Sequence, residues 1–205
     1  MKEGILTVIS GFSGVGKGTI VKELVSSGEY ALSVSATSRS PRTGEENGRE
    51  YFFLTREEFK SMINDNGLIE WAEYVGNFYG TPRKYTEEKL AAGENVILEI
   101  EPQGAMKVKK QYPEAVLIFV VPPSANELER RLTERGTEDK NTIRKRLKRA
   151  AEETEFIENY DYIVINDDLV DAVKSVEHII KSARLKRETA AEFLKLLEED
   201  LKKQG

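Results

Sequence analysis

Near its start the chain carries Gly11-Phe12-Ser13-Gly14-Val15-Gly16-Lys17-Gly18-Thr19, in which Gly11, Gly16 and Lys17 keep the G-x-x-x-x-G-K spacing that suits phosphate chemistry. A turn built on glycine lets successive backbone N–H groups wrap an anion. The apolar, strand-like run Ile5–Ser10 leads into it and the helical pattern of residues 20–25 follows, so the positive end of a helix dipole points at the same anion. Lys17 can then reach the terminal phosphates of a nucleoside triphosphate. The competing reading is a glycine-rich turn that holds nothing. One position departs from the pattern. The Ser or Thr that ordinarily follows the lysine and binds Mg2+ is Gly18 here, and the hydroxyl comes one residue later at Thr19. The sequence leaves open whether Thr19 takes any part in holding a metal.

A second group of residues has the chemistry of an anion site. In Ser35-Ala36-Thr37-Ser38-Arg39-Ser40-Pro41-Arg42-Thr43-Gly44-Glu45, two arginines stand on either side of a proline that stiffens the backbone between them. Two guanidiniums close together, with no evident neutralising partner, suit a phosphate bound through paired hydrogen bonds. Tyr51 and Tyr79 can add hydroxyl donors. The alternative is a solvated loop with ordinary surface arginines. Beside a triphosphate loop, a second phosphate site suggests phosphoryl transfer between two nucleotides.

These residues need a frame to hold them. Apolar runs of strand length recur between helical patterns, at Ile5–Ser10, Ala31–Ser35, Val96–Ile100, Val116–Val121 and Tyr162–Ile165. They are continuous rather than alternating, as in parallel strands buried on both faces. The fold class expected is α/β, with a parallel sheet of five strands and helices on both faces. Residues 37–85 break that rhythm. They are polar and rich in aromatics, with short β-like pieces at 50–54 and 68–74 flanking a helix that opens on the capping box Thr55-Arg56-Glu57-Glu58. A second break, residues 124–151, reads as helix–turn–helix. Ser124 to Glu127 forms a second capping box, the first helix is expected to stop near Gly136, and Asn141 is the expected cap of the next. Arginines crowd this stretch: Arg130, Arg131, Arg135, Arg144, Arg146 and Arg149. From Leu169 onward the pattern is helical, and its charged, amphipathic end is read as a solvated helix packed on the core rather than a coiled coil.

Bulk properties exclude much else. The chain has 205 residues, a size for one α/β core with inserted lobes. Its formal net charge of −5 gives no support for binding nucleic acid or an anionic membrane. Cysteine is absent, which removes thiol nucleophiles and disulfides, and His178, the single histidine, is read as structural, which leaves almost no material for a His-based zinc site or Ser-His-Asp catalysis. No apolar run approaches membrane-spanning length, and the first strand begins almost at once without the pattern of a signal peptide. The expectation is a cytoplasmic enzyme.

The motifs together resemble the guanylate kinases, of the nucleoside-monophosphate kinase family. The resemblance rests on the phosphate loop, the block Ser35–Tyr51, Ile69-Glu70-Trp71-Ala72, Gly76-Asn77-Phe78-Tyr79-Gly80-Thr81 and Leu98-Glu99-Ile100-Glu101-Pro102-Gln103-Gly104. It also rests on Arg135-Gly136-Thr137, Lys145-Arg146-Leu147 and Ile165-Asn166-Asp167-Asp168. It implies a P-loop nucleotide-kinase fold: a core of residues 1–34, 86–123 and 152–205, a GMP-binding lobe at 35–85 and a helical lid at 124–151. It implies ATP as phosphoryl donor with Mg2+, held by Gly11, Phe12, Ser13, Gly14, Val15, Gly16, Lys17, Gly18, Thr19, Arg131, Arg135 and Asn166. GMP, and dGMP with it, would be held by Ser35, Arg39, Arg42, Tyr51, Glu70, Tyr79, Thr81 and Glu101. Lys17, Arg42, Arg135 and Arg146 would act on the transferred group. The implied partners are small molecules, not nucleic acid or membrane, for a monomer or homodimer. Glu99 and Glu101 stand where Asp is common in that family, Thr81 where Ser is common, and Phe12 replaces a frequent Pro.

Base chemistry supports the assignment to guanine. Its N1–H and 2-amino group present two donors on one edge, which a carboxylate accepts together and adenine cannot supply. Glu70, beside Trp71 in an apolar-flanked strand, is the expected reader; its alternative is a surface carboxylate. For Glu101 the alternative is a strand-end acid capping the next helix. Glu99 ends an apolar strand and can orient Mg2+ through water, or form a salt bridge to the phosphate loop. Competing functions are a phosphopeptide-binding module on the same scaffold, a GTPase switch, which lacks its Asn-Lys-x-Asp motif here, and a kinase for another monophosphate.

Overall fold

The computed structural model describes residues 3–74, 76–134, 139–187 and 190–204. In chain order they form β1 (Leu6–Gly11), α1 (Lys17–Ser26), β2 (Tyr30–Leu32), β3 (Ala36–Thr37), β4 (Phe52–Phe53), α2 (Arg56–Asn64), β5 (Leu68–Tyr74), β6 (Asn77–Pro82) and α3 (Arg83–Ala91). Then follow β7 (Asn95–Glu99), α4 (Pro102–Gln111), β8 (Val116–Val121), α5 (Ala125–Glu134), α6 (Lys140–Glu153), a 3-10 turn (Thr154–Asn159), β9 (Tyr162–Ile165), α7 (Leu169–Ala183) and α8 (Ala191–Gln204).

The apolar runs build one parallel sheet of five strands in the order β2-β7-β1-β8-β9. Leu6 is paired with Val96 on one side of β1 and Thr7 with Val116 on the other. Alternate residues leave the sheet on opposite faces. Ile9, Ile97 and Ile118 meet Ile20 and Leu24 of α1 and Val176 and Ile180 of α7. Val8, Leu98 and Leu117 meet Ala105 and Val108 of α4. Truncating such a side chain to alanine costs about 2–5 kcal/mol, so the sheet is a stiff platform. The chain leaves β1 toward β2 on one side and reaches β8 on the other. Strand order therefore reverses beside β1, and in open α/β sheets ligands lie at such a point, outside the carboxyl ends of the strands.

Residues 36–82 form a second sheet, ordered β4-β3-β6-β5, in which β3 and β4 run parallel and the other pairs antiparallel. Helix α2 covers it. Its capping box is present in full, with the Thr55 hydroxyl accepting from the Glu58 N–H and the Glu58 carboxylate accepting in return. Phe59 of α2 is buried against Phe78 of β6, the rings stacked at 5.4 Å. The sheet meets the core through β5, whose Ile69 is buried with Ala105 and Val108 of α4.

Several expectations change. The run 31–35 is divided: β2 ends at Leu32, and the chain re-emerges in the other sheet at Ala36. Asp139, not Asn141, caps α6, its carboxylate accepting from the Thr142 N–H at 2.8 Å. At α5 only half a capping box forms. Ser124 Oγ accepts from the Glu127 N–H, but the Glu127 carboxylate turns to Arg130 and Arg131, which draw its acid down to about 2. The C-terminal pattern is two helices. Helix α7 packs into the core, whereas α8 does not: Phe193, Leu196 and Leu201 are 59%, 56% and 60% exposed. The place against α1 and the sheet is already taken by α7.

Candidate active site

The glycine loop hangs from the carboxyl end of β1, the buried central strand. Gly16 caps α1 in the left-handed region, at φ 98°. A side chain there is excluded twice, by that conformation and by Asn166, whose Nδ2 would lie 2.6 Å from an added Cβ. Gly14 is crowded likewise by Leu132 of α5, at 2.6 Å. The bare loop thus lets two later segments of the chain close on it. Asn166 donates to the Val15 carbonyl at 2.8 Å, and Arg131 Nη1 donates to the same oxygen at 3.3 Å. Arg146 of α6 donates to Ser13 Oγ at 3.2 Å. Lys17 Nζ donates to the carbonyls of Gly11 and Phe12, at 2.6 and 3.2 Å, which places the ammonium across the mouth of the loop.

Phe12 and Val15 offer the loop their backbones only. Val15 is fully buried. The Phe12 ring is buried edge-on against Phe119, which meets Tyr160 in turn, at 5.1 and 5.0 Å between centroids. Aromatic contacts of this shape stiffen the floor beneath the loop. Asn166, buried, has its amide engaged with the loop itself. Arg135 lies outside the described residues.

Three acids stand at or near the ends of β7 and β5. The Glu99 carboxylate faces Gly18, its oxygens 3.6 and 3.8 Å from where a Cβ would sit. Thr19, one residue on, is turned about 100° around α1 and is exposed. Glu99 keeps contact with solvent but is closely surrounded by protein atoms. Burial pushes its acid up, against the pull of the Lys17 charge. Glu101 occupies the cap position of α4 yet makes no capping bond. It is half-exposed and accepts instead from Arg149 Nη2, at 3.1 Å. Glu70 is buried, and one of its oxygens accepts from the Thr81 hydroxyl at 2.8 Å. Burial pushes the Glu70 acid up, and the Thr81 hydrogen bond opposes that rise.

The arginine block is less open than its sequence suggests. Arg39 is neutralised by Glu45, which contacts it at 3.0 Å through both oxygens. The expectation of two unneutralised guanidiniums is thereby corrected. Glu45 closes a turn, accepting from the Arg42 N–H at 2.7 Å while its own N–H donates to the Arg42 carbonyl. Arg39 also lies 5.5 Å over the Tyr51 ring. The Arg42 side chain points to solvent and has no hydrogen bond or ion pair among the described residues. Tyr51 and Tyr79 meet edge to face at 6.0 Å. Burial and the neighbouring Tyr79 push the Tyr51 phenol up, Arg39 opposes them, and Glu99 adds to the rise. Ser35 is half-buried and joins the β3–β4 corner, its carbonyl accepting from the Phe52 N–H.

Glu45 stands in the arginine block and Arg149 in the arginine-rich stretch, but sequence assigns neither a role. The signal for Glu45 is its place three residues after Arg42 across a Thr-Gly turn. For Arg149 it is the i, i+4 spacing to Glu153, which accepts from Arg149 Nε at 2.9 Å.

Comparisons with known proteins bear on the family. A family model described as Guanylate kinase matches residues 4–183. The chain is 49% identical over 202 residues to a guanylate kinase of Oceanobacillus iheyensis, covering 98% of each chain. It is 50% identical over 202 residues to one of Bacillus subtilis, covering 97% of this chain and 99% of that one. Among solved structures it is similar to a guanylate kinase from Anaplasma phagocytophilum, at a TM-score of 0.74 and 35% identity over 91% of this chain and 89% of that one.

Proposed function

The chain belongs to the guanylate kinase family, and from that premise we propose that it transfers the γ-phosphoryl group of Mg-ATP to GMP or dGMP, giving ADP and GDP or dGDP. The observation that carries the choice of base is Glu70: a buried carboxylate with one oxygen engaged by Thr81, on the sheet whose β6 carries Tyr79 and whose β3–β4 connection carries Arg39, Arg42 and Tyr51. A buried acid left unpaired is costly, so a base that fills its acceptor sites is selected over one that does not.

The acceptor phosphate needs no general base. Its second pKa is about 6, so at neutral pH it already carries a nucleophilic oxygen. What the chain supplies is position and positive charge. The backbone of Gly14–Lys17 wraps the donor phosphates, Lys17 exchanges its two loop carbonyls for phosphate oxygens, and Arg131 and Arg146 approach from α5 and α6. Arg39, Arg42, Tyr51 and Tyr79 hold the acceptor phosphate, with Ser35 and Glu101 on the base. Closure of the lobe, residues 35–85, and the lid, residues 124–151, over the core excludes water that would otherwise hydrolyse ATP.

Among the described residues no cluster of three or more His, Cys, Asp or Glu side chains forms a cage for a metal. That fits Mg2+ carried mainly by phosphate oxygens and water. Glu99, across from Gly18, is the residue that would hold it, through water. When bound, the ion neutralises charge on the β- and γ-phosphates. No helix among the described residues is long and apolar enough to cross a membrane, and the proposal is of a cytoplasmic enzyme of purine nucleotide metabolism.

The test is ADP formation from ATP with GMP, dGMP, AMP, UMP and dTMP supplied one at a time. Turnover with GMP and dGMP alone is expected. Activity on AMP without GMP would overturn the base assignment. No turnover with any acceptor would favour a phosphopeptide-binding module, against which Lys17 and the loop-facing Arg131 and Arg146 already stand.

A further inference from the structure

Gly104 is the third residue of α4, inside a helix that gains nothing from glycine's backbone freedom: its φ is not among the positive ones. Its need is for space. A Cβ at this position would lie 2.9 Å from Glu70 Oε2, 3.3 Å from Glu70 Cδ and 3.4 Å from Ile100 Cδ1. The other Glu70 oxygen is engaged by Thr81. The carboxylate is therefore held between a hydroxyl on β6 and the bare face of α4.

Neither side can back away. Further along α4, Lys107 Nζ donates to the Trp71 carbonyl and Gln111 Nε2 to the Ile69 carbonyl, the two residues that flank Glu70. Ala105 and Val108 are fully buried against the sheet. Helix and strand are thus fastened on both sides of the acid, and an added methyl group must be accommodated by the carboxylate itself.

We propose that Gly104 is a positioning residue for base recognition: its missing side chain gives the Glu70 carboxylate the one orientation from which it reads guanine. This rests on Glu70 being the reader. Helix propensity favours alanine over glycine and offsets part of what overpacking at the carboxylate costs.

The experiment measures KM and kcat for GMP and IMP, which lacks the 2-amino group, together with KM for ATP and thermal unfolding. For G104A the expected result is a GMP KM raised about tenfold or more, a reduced preference for GMP over IMP, an unchanged ATP KM and a single cooperative unfolding transition. Shortening the acid by one methylene should relieve the clash, so E70D/G104A should recover GMP use relative to G104A. A folded G104A with wild-type GMP KM and GMP-over-IMP preference overturns the proposal. If G104A does not fold, the double variant decides. A folded E70D/G104A places the obstruction at the carboxylate, and an unfolded one overturns the proposal. Glu70→Gln keeps the two claims apart: if E70Q retains wild-type preference for GMP over IMP, it is the reading of Glu70 that fails.

Discussion

Arg149 of α6 holds Glu101, at the cap position of α4, and Glu153, at the end of its own helix, with contacts of 3.1 and 2.9 Å. One guanidinium thereby joins the arginine-bearing helix to an acid proposed to read the base. The second Glu153 oxygen is buried and has no hydrogen-bond partner among the described residues. Arg149→Met is therefore expected to strand a buried carboxylate and cost about 2–4 kcal/mol. Removing both partners, in R149M/E153L, should cost less than R149M alone. Urea unfolding of wild type, R149M, E153L and R149M/E153L at neutral pH measures it; a double variant as unstable as the sum of the two single variants would contradict the pairing.

Glu70 carries a stability signature of opposite sign. Burial holds its acid above the ordinary carboxylate range, so the folded protein retains a proton that the unfolded chain releases. Stability then falls as pH rises from the ordinary value to the raised one and stays lowered above it. Glu70→Gln removes this loss. Unfolding temperatures across pH 4 to 8 should show E70Q gaining on wild type as pH rises and matching it near pH 4, while its use of GMP collapses.

Arg42 and Arg39 should separate in the same assays. Arg42 is solvent-facing, so Arg42→Met should change stability by no more than about 0.5 kcal/mol and raise the GMP KM by about tenfold or more. Arg39→Met leaves the Glu45 carboxylate with only the Arg42 N–H, beside the site proposed for the acceptor phosphate. It should lower stability as well as raise the GMP KM. Calorimetry and steady-state kinetics on both variants test the contrast.

Much of this was legible in the residues. Parallel strands buried on both faces read as unbroken apolar runs, and four of the five fall where those runs lie; the fifth, β2, keeps only the start of the run 31–35. The Thr55 cap was legible because its partner lies three residues away. Strand β6 was not, since Asn77–Pro82 has the composition of a turn and becomes a strand only by pairing with β5. Helix α3 opens on Pro82, has no side-chain cap and shows little amphipathic pattern. Glu70 and Glu101 look alike in sequence. One is buried and the other half-exposed because α4 lies over the first and begins at the second.

Helix α8 shows the limit of an amphipathic pattern, which reports an apolar face but not whether a surface exists to receive it. Every α8 residue with a described side chain is exposed, and the family match ends before the helix begins. Ending the chain after residue 187 should therefore shift the unfolding temperature by less than about 2 °C and leave GMP kinetics unchanged. A larger drop in a calorimetric scan would mean that α8 supports the core.

The strand order also sets a timetable. β1 lies in the middle of the sheet, yet Leu6 waits for Val96 and Thr7 for Val116 before either edge is paired. At about 5–20 residues per second on the ribosome, the first strand made stays without neighbours for several seconds or longer. The phosphate loop, which needs a fixed strand before it and a docked helix after it, is among the first segments synthesised and among the last to take shape. A nascent chain arrested before β8 emerges should hold no nucleotide, however complete its glycine motif.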